Sequence, residues 1–124
     1  MHVFSKDDVQ NPIITPNGET IYEIIGRFTG EKSDVHSVAH ISLAANKSTI
    51  LHYHPETEES YYILKGKGRM IVGDEERIIE SGQVVLIPKM KKHKLYNLED
   101  GPLEMIAVCV PAWEPENTVW LEEV

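Results

Sequence analysis

Two histidines and a carboxylate stand close together in this chain, at His52-Tyr53-His54 and Glu59, and a third histidine, His93, follows further along. In an extended strand successive side chains point to opposite faces, so His52 and His54 look the same way and can share one ion. Pro55 interrupts that strand. The polar run Glu56-Thr57-Glu58-Glu59 then turns the chain, and the β-rich run Tyr61-Tyr62-Ile63-Leu64 brings a carboxylate back opposite the histidines. Glu59 is the expected carboxylate, with Glu58 as its rival. The second half of the site comes from Gly82 to Asn97, where an apolar strand ends at Pro88 and a lysine-rich turn delivers His93. Three neutral imidazoles and one carboxylate form a nitrogen and oxygen set suited to one divalent transition metal: iron, manganese, nickel, copper or zinc.

Positioning such a set calls for strands. Thr20 to Phe28 is β-rich and leads to a loop at Gly30-Glu31-Lys32-Ser33-Asp34. Val35, Ser37, Ala39, Ile41 and Leu43 then alternate with His36, Val38, His40 and Ser42, so one of the two faces looks inward. Arg69 to Val72, the turn Gly73-Asp74-Glu75-Glu76 and Arg77 to Glu80 read as one hairpin. Val84 to Ile87 is a continuous apolar run consistent with a strand buried on both sides. Lys94 to Leu98 and Leu103 to Val110 are the last long strands, separated by the turn Glu99-Asp100-Gly101-Pro102. About nine or ten short strands at turn-spaced intervals, with no amphipathic helix, predict an all-β sandwich or barrel.

The length of 124 residues fits one domain. We divide it into an N-terminal arm of about 1–20 with a short strand at Ile13-Ile14, a barrel of about 20–110 and a C-terminal tail, 111–124, that carries both tryptophans and is expected to lie over the barrel or over a partner subunit. Aliphatic, aromatic and sulfur residues make up 41% and charged ones 26%, a globular balance. The net charge of −8 argues against nucleic-acid binding, which needs a basic footprint. No apolar run reaches the length of a membrane span and the N-terminus lacks a signal-peptide layout, so a cytoplasmic location is expected. The single cysteine, Cys109, lies in an apolar run and reads as a packed core thiol.

The first histidine stretch resembles motif 1 of the cupin family, G-x5-H-x-H-x(3,4)-E-x6-G: His52 and His54 are followed by four residues, Glu59, six residues and Gly66. Asn46 stands where the leading glycine would fall. The second stretch is similar to cupin motif 2, G-x5-P-x-G-x2-H-x3-N, through Gly82, Pro88, His93 and Asn97, with Met90 where the family usually has glycine. Fifteen residues separate Gly66 from Gly82, a spacing found in small microbial cupins. The resemblance implies a cupin jelly-roll barrel with His52, His54, Glu59 and His93 as metal ligands, and a homodimer, for which the tryptophan-rich tail offers a seam.

Three histidines and one glutamate leave open positions on a six-coordinate ion, which favours catalysis or ligand binding over a structural role. The expected function is an enzyme acting on a small organic molecule, with dioxygenase-type chemistry favoured. Isomerisation or lysis of a sugar or hydroxy acid comes next, and a non-catalytic small-ligand-binding module third. Three residues are candidate substrate contacts. Tyr61 shares the phase of Glu59, His40 would serve if its face lines the cavity, and Met90 would serve as a lid before His93. Neither His36 nor His40 is placed among the ligands. Lys89, Lys91, Lys92 and Lys94 would make the barrel mouth locally positive, or else lie on a solvated turn.

Overall fold

The computed structural model describes residues 1–30 and 33–123, so Glu31 and Lys32 of the expected loop lie outside the described residues. The strands are β1 (Ile13–Ile14), β2 (Glu19–Ile25), β3 (Ser37–Leu43), β4 (His52–Tyr53), β5 (Glu58–Lys65), β6 (Lys67–Val72), β7 (Glu75–Glu80), β8 (Val84–Ile87), β9 (His93–Asn97), β10 (Leu103–Val110) and β11 (Val119–Trp120). Helix is confined, among the described residues, to single 3₁₀ turns at Lys6–Asp8 and Pro115–Asn117. No described helix is long and apolar enough to cross a membrane.

Two antiparallel sheets form a jelly-roll barrel. One runs β1-β2-β3-β10-β5-β8 and the other β11-β4-β9-β6-β7. Alternation sets their faces: along β3 the buried residues are Ser37, Ala39, Ile41 and Leu43, and along β10 Leu103, Met105, Ala107 and Cys109. Leu43, Ile63, Leu95, Leu103 and Met105 are almost completely buried between the sheets. Each such side chain contributes roughly 1.5–3 kcal/mol through burial. Asn97 ties this core to the turn that follows it. Its Nδ2 lies 3.0, 3.1 and 2.9 Å from the carbonyl oxygens of Leu43, Ala44 and Gly101, and its Oδ1 accepts from the Glu99 N–H at 2.9 Å.

One expectation changes and two open readings resolve. β8 is not buried on both sides: it is the outer strand of the six-stranded sheet, and its outward residues Val84 and Leu86 are 60% and 57% exposed. The His40 face of β3 turns outward, because the Ser37-Ala39-Ile41-Leu43 face supplies the core. The tail takes one of its two expected placements: β11 pairs with β4, Val119 against Tyr53 and Trp120 against His52, and the tail folds back over its own barrel.

Both departures from the cupin motifs sit in a glycine-like backbone. Asn46 has φ +59° and Met90 φ +70°. Asparagine enters the left-handed region at little cost because its short polar side chain bonds locally, whereas methionine does so at roughly 1–2 kcal/mol. The turn before His93 therefore keeps its shape without its glycine. Met90 N–H holds it there, donating to the His54 carbonyl at 2.8 Å.

Candidate metal centre

His52 and His93 come from the five-stranded sheet, His54 from the residue just past β4, and the carboxylate from the six-stranded sheet. His52 on β4 pairs directly with His93 on β9, and their rings lie 4.3 Å apart. His54 follows two residues on, with its ring 5.0 Å from that of His52 and 5.5 Å from that of His93. Pro55 and Glu56 bend the chain into β5, where alternation buries Glu59 and exposes Glu58. That burial favours Glu59 over its rival. The four candidate ligand atoms all lie within 4.8 Å of one another.

Backbone carbonyls set the tautomers. Nδ1 of His52 lies 2.6 Å from the Ile50 oxygen, Nδ1 of His54 lies 2.9 Å from the Asn117 oxygen, and Nδ1 of His93 lies 3.0 Å from the Lys91 oxygen. A carbonyl only accepts, so each Nδ1 carries a proton, and Nε2 of each imidazole presents a lone pair whenever the ring is neutral. Oε1 of Glu59 lies 3.4 Å from Nε2 of both His54 and His93. Glu59 Oε1 and His93 Nε2 are buried and find no hydrogen-bond partner among the described residues. Lone pairs turned toward one another in a buried place repel unless a cation sits between them. The donor set thus fits a divalent transition metal.

The titration of these groups follows the same logic. Burial works against the Glu59 charge, yet the imidazoles of His54 and His93, which become donors and positive charges when protonated in the absence of an ion, outweigh it and hold the carboxyl well below its ordinary range. Burial pulls His54 down, but the hydrogen bond and charge of Glu59, helped by the Asn117 carbonyl, leave it above its ordinary value of 6.5. His52 is lowered to about 4 by burial and by the neighbouring His93.

Beside the four lies a cavity of about 160 Å³. Its walls are mainly apolar, with Ile21, Ile41, Ala107, Trp113 and Trp120 prominent. Tyr61 is buried in this wall, and burial and the charge of Glu59 push its phenol well above the usual value. A larger open groove of about 680 Å³ runs between the β6–β7 hairpin and β8, lined by Asp74, Arg77 and Lys91, and holds none of the four.

The other candidates lie elsewhere. His40 is on the outer face, with Nε2 3.6 Å from Glu104 Oε1, and so is not a cavity contact. Met90 is 59% exposed and forms no lid, because its left-handed backbone turns the side chain to solvent. His36 precedes β3 and stays outside the site. Lys89, Lys91 and Lys92 are exposed, and Lys94 pairs with Glu122 at 2.7 Å.

Further residues join the site that the motif spacing does not reveal. Cys109 is buried as expected, but its thiol donates to Glu59 Oε2 at 3.2 Å. The signal was its phase on β10, directly across from Glu59. Asn117 reaches the site through tail folding. Besides its carbonyl on His54, its Oδ1 accepts from the Glu56 N–H at 3.0 Å and its Nδ2 donates to Thr57 Oγ1 at 2.6 Å. Trp120 lays its ring 5.1 Å from that of His52.

A jelly-roll barrel gathering three imidazoles and a carboxylate at one end of its core defines the class. The chain belongs to the cupin domain family, whose profile matches residues 39–109. It is 32% identical over 117 residues to the uncharacterized protein MJ1618 of Methanocaldococcus jannaschii, covering 93% of this chain and 91% of that one. Among solved structures it is similar to Bacillus subtilis oxalate decarboxylase, studied for its Mn(II) centres, with 25% identity and a TM-score of 0.74. That match covers 90% of this chain and 30% of the decarboxylase, so this chain spans about a third of that enzyme. The nucleoside dehydratase Pac13 superposes over all of this chain and 93% of its own, with a TM-score of 0.80 and 12% identity, a likeness of fold.

Proposed function

We propose that this cupin is a metal-dependent enzyme acting on a small organic acid at a centre of His52, His54, Glu59 and His93. One observation carries the reading: four lone-pair-bearing atoms converge within 4.8 Å at the wall of a small, largely apolar cavity. When bound, the ion would act as a Lewis acid and offer open positions to the acid or to dioxygen. The chain's own groups do the rest. Nδ1 hydrogen bonds fix the imidazoles, Cys109 occupies the second oxygen of Glu59, and the apolar walls exclude water.

Dioxygen-dependent oxidation is the leading chemistry, since a largely apolar cavity beside four protein ligands, which would leave positions open on a bound ion, suits it. A redox-neutral lyase or isomerase is the second reading, supported by a further carboxylate in the same cavity, Glu19, and by the likeness to oxalate decarboxylase. The free, buried Cys109 supports a reducing, cytoplasmic setting. The dimer would form through the outer face of β5 and β8, where Tyr62 pairs with Val84 and both are exposed beside Leu64 and Leu86.

The test begins with elemental analysis of protein purified without chelators or metal-affinity steps. Iron or copper near one per chain, with oxygen consumption on a panel of small carboxylic acids, supports oxidation. Manganese, nickel or zinc with anaerobic turnover supports the second reading. Protein that carries no metal and takes none up overturns both.

A further inference from the structure

Three carboxylates line the cavity and they are not equivalent. Glu59 belongs to the candidate metal centre. Glu23 is 2% exposed and fully engaged, since its Oε2 accepts from the backbone N–H groups of Phe28, Thr29 and Gly30 at 2.9, 2.5 and 3.4 Å. Glu19 has no such nest. Its side chain receives one long contact, 3.4 Å from Asn17 Nδ2, and that amide makes its short bond, 2.6 Å, to the Ser48 carbonyl. Asn17 Oδ1 is itself buried without a hydrogen-bond partner among the described residues. The Glu19 carboxyl therefore lines the cavity with bonding capacity unused, and Asn17, which does not itself line it, stands beside it.

Register places this pair away from the ligand set but on the same inner surface. Glu59 shares its row with Cys109 and Ser37, whereas Glu19 shares its row with Leu43 and Leu103, three inward rows further along β3. Between them the cavity wall is Ile21, Ile41 and Ala107. Its volume of about 160 Å³ is that of roughly five waters. In so apolar a pocket a few polar groups fix a ligand's orientation.

We infer that Glu19 is a distal subsite that holds the second polar end of a small dicarboxylic or hydroxy acid whose first carboxylate sits at the metal. The inference rests on the metal-dependent reading and narrows its substrate class. A second carboxylate in the pocket would repel an acid if it were charged. Burial, reinforced by the charge of Glu59, raises Glu19 above its ordinary value, while Asn17 and His93 oppose the rise. His52, His54, Glu23, Tyr61 and Cys109 are the other ionisable groups on the cavity walls. Protonated, Glu19 donates its O–H to the distal oxygen of the ligand. The proton Glu19 gains on binding comes from solvent and returns to it on release.

The experiment uses Co²⁺-loaded protein and follows its visible spectrum. Malonate, succinate and malate are each titrated against propionate and butyrate. The wild type should bind at least one of the three about tenfold tighter than either monocarboxylate, taking up a proton as measured by calorimetry in buffers of different ionisation enthalpy. Glu19→Leu should bring the preference down to about one, and Glu19→Gln should abolish proton uptake, both with an unchanged Co²⁺ spectrum before ligand is added. A wild type that binds Co²⁺ without preferring the bifunctional acids, or a Glu19→Leu variant that keeps the preference, overturns this inference alone. Failure to bind Co²⁺ overturns the metal reading, and the subsite falls with it.

Discussion

The thiol of Cys109 donates to Glu59 Oε2 at 3.2 Å, while Glu59 Oε1 faces His54 and His93 at 3.4 Å each. The two oxygens of one buried carboxylate thus have separate duties, one fixed by the β10 strand and one turned to the candidate ion. Cys109→Val keeps the shape and removes the donor. Leaving Oε2 buried and unpaired should destabilise the protein by about 1–3 kcal/mol. Loss of such a support should weaken Zn²⁺ binding roughly ten- to a hundredfold. Cys109→Ser should restore most of both. Chelator competition and urea denaturation read the two effects, and a valine variant with wild-type affinity would show that Glu59 is held by other means.

The ligand set itself is tested by His52→Ala combined with His54→Ala. We expect bound metal to disappear while the β-sheet circular dichroism signal remains, because the core around Leu43, Ile63 and Leu103 lies elsewhere in the barrel. A double variant that still carried one metal per chain would rule out this assignment.

Much of this was legible because strands have a period of two. That period aligned His52 with His54, the six-residue spacing to Gly66 in the resemblance to the cupin motif favoured Glu59 over Glu58, and the facing of β3 stayed open. The facing of His40 was undecidable from phase, since either face of an alternating strand can be the inner one until the partner strands are known. The exposure of β8 was illegible for a similar reason: Val84-Val85-Leu86-Ile87 reads as buried, and only its place at the end of the sheet order leaves Val84 and Leu86 in solvent. Asn117 and Trp120 reach the site through a tail whose folding depends on contacts with residues more than sixty positions away. No local pattern encodes such contacts.

Met90 offers a test of backbone against side chain. Its φ of +70° is unfavourable for methionine, and its side chain is exposed and adds little packing. Met90→Gly relieves the strain but gains flexibility in the unfolded chain, so stability should change by no more than about 1 kcal/mol, in the stabilising direction. Met90→Val, β-branched at a positive φ, should lose roughly 1–2 kcal/mol. Chemical denaturation of the pair measures both, and a valine variant as stable as the glycine one would mean that the turn does not depend on this conformation.

The tail should report on the metal. Trp120 packs on His52, while Trp113 packs edge-on against Phe28, with ring centroids 5.3 Å apart. Paramagnetic Co²⁺ or Cu²⁺ should quench the Trp120 fluorescence, so a Trp113→Phe variant should be quenched proportionally more than the wild type. Asn117→Ala removes bonds to Glu56 and Thr57, and should cost about 1–3 kcal/mol. Equal quenching in Trp113→Phe and Trp120→Phe variants would contradict this packing.

Metal uptake should also release protons in a particular way. An ion needs neutral imidazoles. In the metal-free protein His52, lowered to about 4, is already neutral near pH 6, whereas His54 stays protonated to above its ordinary 6.5 because of Glu59. Affinity for Zn²⁺ should therefore rise with pH through the raised value of His54 and then level off, with His52 adding no dependence in that range. The stability sign is opposite for the metal-free form. A raised His54 contributes stability that is complete below 6.5 and lost as pH rises through its folded value, whereas the lowered His52 contributes stability that grows as pH rises toward and past 6.5. The His54 share is isolated by comparison with a metal-free His54→Asn variant, relative to which the metal-free wild type should lose melting temperature between about pH 6 and 8. Calorimetry of the two decides the matter, and a wild type that lost nothing relative to the variant would show that His54 does not hold the proton.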